Sequence, residues 1–297
     1  MNDIFTDKWM KGISYEVAFW NNVYRWKRTF RGMMGWSHYG SVIELEMFDA
    51  NGFLASRESP VVLDVGCGMS YATGNLISKD GKTVPADIRY VDPLAPYFNR
   101  ILRRYRRGLP EITFGMMEYL SAFYPGQDAD LVIIQNALDH SANPVKGIME
   151  ALATLKTGGT LYLNHHPNEG EMENYKGFHQ YNIIDEEGKL IIWNRNERAD
   201  INEMIKDFAD IRVSRSAGGN VIAVITKTAG VPPHLTGDRD DKRRLCEELI
   251  MQTMRTSSIG HAVRSRCRYW KFNAIQFVAQ ALPWETRMKV KKLIRQA

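Results

Sequence analysis

Long apolar runs and clustered cysteines are both missing from this chain of 297 residues. No apolar run reaches the roughly 18 residues that a membrane-spanning helix needs. Cys67, Cys246 and Cys267 lie far apart and show no C-x-x-C spacing, which is typical of reduced, non-ligating thiols. The first residues lack the basic and then apolar pattern of a secretory signal. We therefore expect a cytoplasmic location, with a peripheral position at the inner membrane face as the open alternative.

A general excess of one charge is also missing, because the basic residues are concentrated at one end. The whole chain carries 39 Lys+Arg and 34 Asp+Glu, a net charge of +5. Residues 242–297 hold 13 basic and 3 acidic residues, a net +10, so residues 1–241 carry 5 − 10 = −5. The sequence predicts a basic helical C-terminal extension over 229–297. This extension would pack as a helical appendage, bind an anionic membrane or membrane-bound partner, or, less favoured, bind nucleic acid.

The segment from Val61 to Gly68 (VVLDVGCG) is the most informative part of the sequence. Its apolar residues suit a strand that is buried on both faces, as in a parallel sheet. The two glycines allow positive φ and let a ligand approach the backbone closely. We expect residues 71–78 to open a helix whose free N–H groups face that ligand. A strand, a glycine turn and a helix together predict a nucleotide-binding unit.

Asp64, two residues before the first glycine, makes this segment resemble the first motif of class I S-adenosylmethionine-dependent methyltransferases. Ser70 departs from that motif, since a third glycine often stands there. The dinucleotide pattern G-x-G-x-x-G is not met, because Tyr71 stands in its last place and Ala72 follows one residue later. Later motifs follow in the order of the same family: a strand ending at Asp92, a polar turn after the third strand, a D-L-V strand from Asp130, and a Gly-Gly turn before a fifth strand.

The resemblance implies an α/β fold with a Rossmann-like class I methyltransferase sheet, mostly parallel with the last strand antiparallel. This domain would span 60–228, with an insertion at 165–197, a closing antiparallel strand pair at 211–214 and 221–225, and an N-terminal helical cap at 1–59. The implied cofactor is S-adenosyl-L-methionine, which leaves as S-adenosyl-L-homocysteine. The residues expected to bind it are Asp64, Gly66, Cys67, Gly68, Asp92, Pro93, Met117, Glu118, Asn136 and Ala137.

Aromatic and basic residues crowd the first part of the chain, between residues 9 and 36. Phe19, Val23, Trp26 and Phe30 recur at helical spacing and predict one apolar helix face. This helix would pack on the main domain or close over cofactor and substrate. A nucleic-acid surface is a third interpretation of the same pattern.

Methyl transfer to a hydroxyl needs a group that removes a proton beside the strand ends, where ligands of such sheets bind. The candidate catalytic residues are His165, Glu169, His179 and His140. The first three would also suit a divalent cation, but their spacing matches no established ligand pattern, so no metal site is expected. The insertion predicts a hairpin around 185–188, and its His, Gln, Tyr and Asn residues suit a polyhydroxylated acceptor.

The residues after the fourth strand, Asn136-Ala-Leu-Asp139, lack the D/N-P-P-Y/F/W motif of amino-group methylation on nucleic-acid bases. The pattern therefore favours O-methylation of a hydroxylated small molecule or glycan, in keeping with a resemblance to bacterial methyltransferases of surface polysaccharide synthesis. Two other interpretations stay open. The chain could methylate RNA with its basic tail as an anchor, or serve as a non-catalytic adaptor that retains the methyltransferase fold.

Overall fold

The computed structural model describes residues 7–105, 107–126, 128–236, 244, 259–282 and 286. Its strands are β1 (Val61–Val65), β2 (Leu76–Lys79), β3 (Lys82–Pro85), β4 (Asp87–Asp92), β5 (Thr113–Phe114), β6 (Ala129–Gln135), β7 (Leu155–His165), β8 (Asn182–Glu186), β9 (Lys189–Trp193), β10 (Arg198–Asp200), β11 (Ala209–Arg215) and β12 (Val221–Lys227). Its α-helices are α1 (Asp7–Arg25), α2 (Lys27–Met34), α3 (Ala50–Ala55), α4 (Ala95–Tyr105), α5 (Leu120–Phe123), α6 (Pro144–Thr154), α7 (Glu169–Met172), α8 (Ile201–Ile205), α9 (Pro233–Thr236) and α10 (Ile259–Ala281).

The central sheet has seven strands in the order β11-β12-β7-β6-β1-β4-β5. The strands β7, β6, β1, β4 and β5 pair in parallel, whereas β12 pairs antiparallel with both β7 and β11. This is the Rossmann-like methyltransferase sheet that the sequence predicts, including its closing antiparallel pair. Because all parallel strands end at one edge, the residues after β1, β4 and β6 lie close together there.

Both faces of the sheet are covered, which explains the uninterrupted apolar composition of its strands. Leu63 and Val65 of β1 belong to a core cluster that includes Ile148 and Leu152 of α6. Val62 belongs to a second cluster on the opposite face, together with Leu54 of α3. Side chains alternate between faces along a strand, and burying each one contributes roughly 1.5–3 kcal/mol. The alternation therefore fixes which way each residue of β1 points.

The helix expected over residues 71–78 is absent, and that prediction is wrong. The chain forms a turn and then the antiparallel β2–β3 hairpin. The backbone N–H of His38 donates to the Tyr71 carbonyl at 3.1 Å, and the N–H of Asn75 donates to the Ser41 carbonyl at 3.2 Å. Gly74 has φ +83°, and a Cβ there would lie 3.1 Å from the Ser41 carbonyl oxygen. Long-range hydrogen bonds to residues 37–45 thus satisfy this segment's backbone in place of a helix.

The two terminal helices α1 and α10 pack against each other. The side chain of Asn22 donates to that of Asn273 at 2.9 Å, and the rings of Tyr15 and Phe272 meet edge-on with centroids 5.4 Å apart. The described part of the predicted C-terminal extension is therefore a packed appendage. The sequence also predicts a helical run at residues 245–251, which lies outside the described residues, as does most of the basic segment 242–297. None of the helices that the structure describes combines the length and apolar character needed to cross a membrane.

The insertion after β7 forms α7 and a small antiparallel sheet, β8-β9-β10. The predicted hairpin is confirmed, with the N–H of Gly188 donating to Asp185 Oδ1 at 2.9 Å in the turn. Two of the polar side chains expected to bind the acceptor form hydrogen bonds within the insertion. Gln180 Nε2 donates to the Gly177 carbonyl at 2.7 Å, and Asn182 Nδ2 donates to the Tyr175 hydroxyl at 2.9 Å. These bonds hold the segment between α7 and β8 in place beside the sheet edge.

Candidate active site

The turn between Gly66 and Gly68 forms the floor of the site, and it requires glycine. Gly66 has φ +70° and Gly68 has φ +54°, a region that other residues rarely adopt. A Cβ at Gly66 would lie 2.5 Å from the Cβ of Ala137. The N–H of Gly66 donates to the Val91 carbonyl at 2.8 Å, which continues the β1–β4 ladder into the turn. The turn therefore presents bare backbone directly beside the end of β6.

Asp92 ends β4 and lies beside this turn with its carboxylate buried. The Gly68 N–H donates to Asp92 Oδ2 at 3.0 Å, and the Leu94 N–H donates to Oδ1 at 2.7 Å. Burial raises the pKa of Asp92 to about 7, although these two hydrogen bonds oppose the rise. Asp92 is therefore a positioned acceptor whose charge depends on its surroundings near neutral pH.

Asp64 does not line the cavity above the turn, in contrast to its predicted role in binding the cofactor. Its Oδ2 accepts a hydrogen bond from the Thr73 hydroxyl at 2.6 Å, and burial raises its pKa to about 6. The alternation along β1 gives Asp64 the same face as Val62. Asp64 therefore lies beneath the turn that follows the glycines and stabilises it through the hydrogen bond with Thr73.

A cavity of about 370 Å³ lies over the glycine turn at the edge of the sheet. It is lined by every predicted cofactor residue except Asp64: Gly66, Cys67, Gly68, Asp92, Pro93, Met117, Glu118, Asn136 and Ala137. Several other residues that line the cavity were not predicted from the sequence, including Phe98, Gln135, Ser141 and Phe178. Of these residues, only Gln135 could have been identified from the sequence, because it is a polar residue at the end of an apolar strand.

Trp20 and Glu16 of α1 cover the cavity from above. Trp20 Nε1 donates to Glu16 Oε1 at 2.8 Å, which orients the indole ring. A Cβ at Gly68 would lie 3.1 Å from the Trp20 ring, so the ring rests directly over the glycine turn. The helix predicted at the N-terminus thus both packs on the domain and encloses the cavity.

Met117 and Glu118 follow β5 and form one side wall. The Met117 side chain reaches Gly147 on α6, where a Cβ would lie 3.2 Å from its sulfur. Glu118 Oε1 accepts hydrogen bonds from the backbone N–H groups of Ala142 at 2.7 Å and Asn143 at 3.3 Å. Burial raises the pKa of Glu118 despite these bonds. Glu118 therefore ties the wall to the start of α6 while it faces the cavity.

A cluster of two imidazoles and two carboxylates adjoins the cavity at His140, and we name it the His–carboxylate cluster: Asp139, His140, Glu169 and His179. His179 Nδ1 lies 2.7 Å from Asp139 Oδ2, 3.2 Å from Glu169 Oε2 and 3.2 Å from His140 Nε2. His140 Nε2 lies 3.4 Å from Asp139 Oδ2. Three of the four predicted catalytic residues therefore meet here, joined by Asp139, which the prediction omitted.

The charges in this cluster depend on one another. Burial would lower the pKa of His179, but the hydrogen bonds that His179 donates to Asp139 and Glu169 raise it to about 10. Burial would likewise raise the pKa of Asp139, but His140 and His179 lower it well below its usual range. At neutral pH the cluster therefore pairs a protonated His179 with the ionised carboxylates of Asp139 and Glu169.

His165, the fourth predicted catalytic residue, is placed differently. Its side chain ends β7, is 1% exposed and does not line the cavity. Burial lowers its pKa to about 4, so the ring is neutral. Neither ring nitrogen has a hydrogen-bond partner within the described structure. The inward position follows from the strand alternation, which places His165 in the buried interior.

The comparison with protein families agrees with this geometry. Residues 63–163, which run from β1 to β7, match the family described as "Methyltransferase domain". Together with the sheet order, the match supports a SAM-dependent methyltransferase, whose cofactor is S-adenosyl-L-methionine. The match covers the sheet edge that bears the cavity and leaves out the terminal helices. No curated protein matches the chain.

Solved structures with similar folds include methyltransferases of different kinds. A T. thermophilus 16S rRNA methyltransferase in complex with AdoMet and guanosine is 17% identical, with 63% of this chain and 41% of that chain covered and a TM-score of 0.37. An O-methyltransferase family protein from Burkholderia thailandensis is 14% identical, covering 60% and 55%, with a TM-score of 0.34. A SAM-bound amino pentose methyltransferase from Micromonospora echinaspora is 16% identical, covering 59% and 86%, with a TM-score of 0.34.

Proposed function

We propose that this protein transfers a methyl group from S-adenosyl-L-methionine to a hydroxyl group of a sugar or glycan precursor. The observation that carries the proposal is that one cavity joins Asp92, a buried acceptor beside a bare glycine turn, to His140 of the His–carboxylate cluster. The first is suited to a ribose and the second to a reacting hydroxyl. The two lie on the same sheet edge, where ligands of such folds bind.

The cofactor supplies a methyl group already activated on a sulfonium centre. Asp92 would accept hydrogen bonds from the ribose hydroxyls, and Met117 would pack against the adenine ring. The glycine turn leaves room for close approach to its backbone, and Trp20 excludes water from above. The protein's main task is then to hold an acceptor oxygen in line with the methyl carbon.

A hydroxyl acceptor is favoured because a group that draws off a proton adjoins the cavity. As the acceptor oxygen bonds to the methyl carbon, the carbon–sulfur bond breaks and the O–H proton must leave. The His–carboxylate cluster supplies the negative charge that favours this proton's departure. The amide of Asn136, which amine methylation would use, is already engaged: its Oδ1 accepts from the His166 N–H at 2.9 Å.

A sugar is favoured among hydroxylated acceptors by the side chains around His140. Phe178 lines the cavity next to His140, with ring centroids 5.8 Å apart, and Ser141 lines it beside them. An aromatic face combined with polar groups suits a ring that carries hydroxyls on its rim and C–H groups on its faces. The support for a sugar therefore comes from this pairing of groups. It does not come from Gln180 and Asn182 of the insertion, whose side chains form hydrogen bonds within the insertion.

Incubation with methyl-labelled cofactor tests the proposal. Purified protein would be mixed separately with nucleotide sugars and polysaccharide, with RNA, and with small hydroxylated metabolites. We expect label in the first fraction and loss of labelling in Asp92→Asn. Label confined to RNA would replace the glycan by the RNA interpretation. Binding of S-adenosylhomocysteine without turnover on any fraction would favour the adaptor interpretation.

A further inference from the structure

We propose that the His–carboxylate cluster is a binding site for one divalent ion of a first-row transition metal. One potential ligand atom from each of Asp139, His140, Glu169 and His179 lies within 4.8 Å of all the others. Two imidazole nitrogens and two carboxylate oxygens suit such ions better than Mg²⁺ or Ca²⁺, which prefer oxygen ligands alone. Two carboxylates also balance the charge of a divalent cation.

The spacing of these atoms fits the ligand shell of a metal ion. Metal–nitrogen and metal–oxygen bonds of about 2.0–2.2 Å place neighbouring ligands about 3.0–3.5 Å apart. The measured separations are 3.2 Å for His179 Nδ1 to His140 Nε2, 3.2 Å for His179 Nδ1 to Glu169 Oε2, and 3.4 Å for His140 Nε2 to Asp139 Oδ2. The contact of His179 Nδ1 with Asp139 Oδ2, at 2.7 Å, is shorter than this spacing and is that of a charged hydrogen bond. Small outward shifts would accommodate an ion at the centre.

Hydrogen bonding alone accounts poorly for this convergence. His179 Nδ1 carries at most one hydrogen, yet Asp139 Oδ2, Glu169 Oε2 and His140 Nε2 all lie within 3.2 Å of it. One N–H on His179 Nδ1 makes one well-aligned hydrogen bond and leaves the other close neighbours to weaker ones. A cation in their midst would be contacted by one atom from each of the four side chains, with His179 Nδ1 among them.

The surroundings of the cluster suit a metal site in two further ways. The Gln180 N–H donates to the Asp139 carbonyl at 3.0 Å, so backbone bonding holds the His179 loop against the turn that bears Asp139 and His140. The buried ring of His165, whose nitrogens lack hydrogen-bond partners in the described structure, interacts electrostatically with Asp139 and Glu169. Backbone hydrogen bonding thus holds the segments that bear the ligands together, and the buried His165 ring interacts electrostatically with two of the ligands.

The position of the ion would give it a role in catalysis. This catalytic role rests on the proposed function, whereas the proposal of metal binding is independent of it. His140 is the member of the cluster that lines the cavity, so the ion would adjoin the acceptor. A bound acceptor hydroxyl would have a lower pKa. Its proton would pass to solvent water as the oxygen–carbon bond forms and the carbon–sulfur bond breaks.

Direct metal titration tests the site without any activity assay. The full chain would be treated with a chelator, dialysed, and titrated by calorimetry with Co²⁺, Zn²⁺ and Mg²⁺ alone, with Co²⁺ also followed by its visible absorption. We expect one equivalent of Co²⁺ or Zn²⁺ to bind and Mg²⁺ to bind far more weakly. Substitution of a residue that only supports a metal ligand costs about 10–100-fold in metal affinity. Loss of a ligand itself, as in Glu169→Gln and His179→Ala, should therefore lower the affinity for Co²⁺ about 100-fold or more.

His166→Gln is the matched control, because this exposed histidine bonds Asn220 and lies outside the cluster. It should bind Co²⁺ like the unaltered chain, and circular dichroism should show that all variants are folded. Absence of one-to-one binding, or equal binding by Glu169→Gln and His179→Ala, would overturn the proposal and leave a hydrogen-bonded cluster. Titration with S-adenosylhomocysteine, run separately, tests the proposed function independently of the metal.

Discussion

Lowering the pH from 8 to 6 should weaken binding of S-adenosylhomocysteine to this protein about tenfold. Burial, together with smaller contributions from Glu16 and Asp64, raises the pKa of Asp92 to about 7 in the free protein. The ribose hydroxyls require an ionised carboxylate, so binding below pH 7 must first release the proton. With the carboxyl ionised in the complex, each pH unit below 7 costs close to a factor of ten, or about 1.4 kcal/mol.

The same carboxyl should affect the free protein in the opposite direction. Its pKa in the folded state lies above the unfolded value of about 3.9, so folding favours the protonated form. This contribution to stability is largest below pH 4 and is lost as the pH rises through 7. Between pH 8 and 6, Asp92 therefore stabilises the free fold while ligand affinity falls. A general loss of structure in acid would lower both together.

Calorimetry at pH 6, 7 and 8, in two buffers with different protonation enthalpies, measures both the affinity and the protons released. We expect close to one proton released per ligand at pH 6 and almost none at pH 8. Asp92→Asn should bind weakly at every pH, without the tenfold change. Equal affinity of the unaltered protein at pH 6 and 8, or an unchanged pH dependence in Asp92→Asn, would refute the role given to this carboxylate.

Three substitutions probe the cavity and the turn beneath it. Gly66→Ala introduces a Cβ at φ +70° and 2.5 Å from the Cβ of Ala137. It should lower the free energy of unfolding by about 1–3 kcal/mol in chemical denaturation and abolish ligand binding. Gly81→Ala, at φ +72° in open space, is the control for backbone strain alone. Trp20→Ala removes the cover and should weaken S-adenosylhomocysteine about tenfold in the same calorimetry, and unchanged affinity would contradict a closed cavity. Thr73→Val leaves the buried Asp64 without its hydroxyl donor and should lower the free energy of unfolding by about 1–3 kcal/mol, whereas an unchanged value would show that water replaces the hydroxyl.

The half of the cavity that we propose for the cofactor lies where the local sequence predicts it, because its residues directly follow strands. Gly66, Asp92 and Asn136 each come at or just after a strand end, and parallel strands bring such ends to one edge. Asp64 was predicted to share this role but lies beneath the turn, since it is one residue short of the end of β1 and points to the other face. The motif thus located the cavity correctly, although Asp64 stabilises the turn beneath it and does not line it.

The acceptor half was predictable only in part, because it joins residues from separate segments. His140 follows β6, whereas Glu169 and His179 belong to the insertion, and no local pattern relates their side chains. His165 is next to the same loop in sequence, but strand alternation turns it into the interior. The Trp20 cover likewise depends on how α1 packs, which helical periodicity alone does not specify.

The order of strands, the glycine turn and the methyltransferase architecture were determined by the sequence by itself, because hydrophobic patterning and backbone restrictions act over a few neighbouring residues. The replacement of a helix by the β2–β3 hairpin was decided only by tertiary structure, through hydrogen bonds to residues 37–45. Tertiary structure alone also decided that the His–carboxylate cluster forms. Its atoms approach within a few ångströms because loop closure and backbone hydrogen bonds hold distant segments together. Contacts of this kind depend on the packed positions of whole elements, which local composition does not encode.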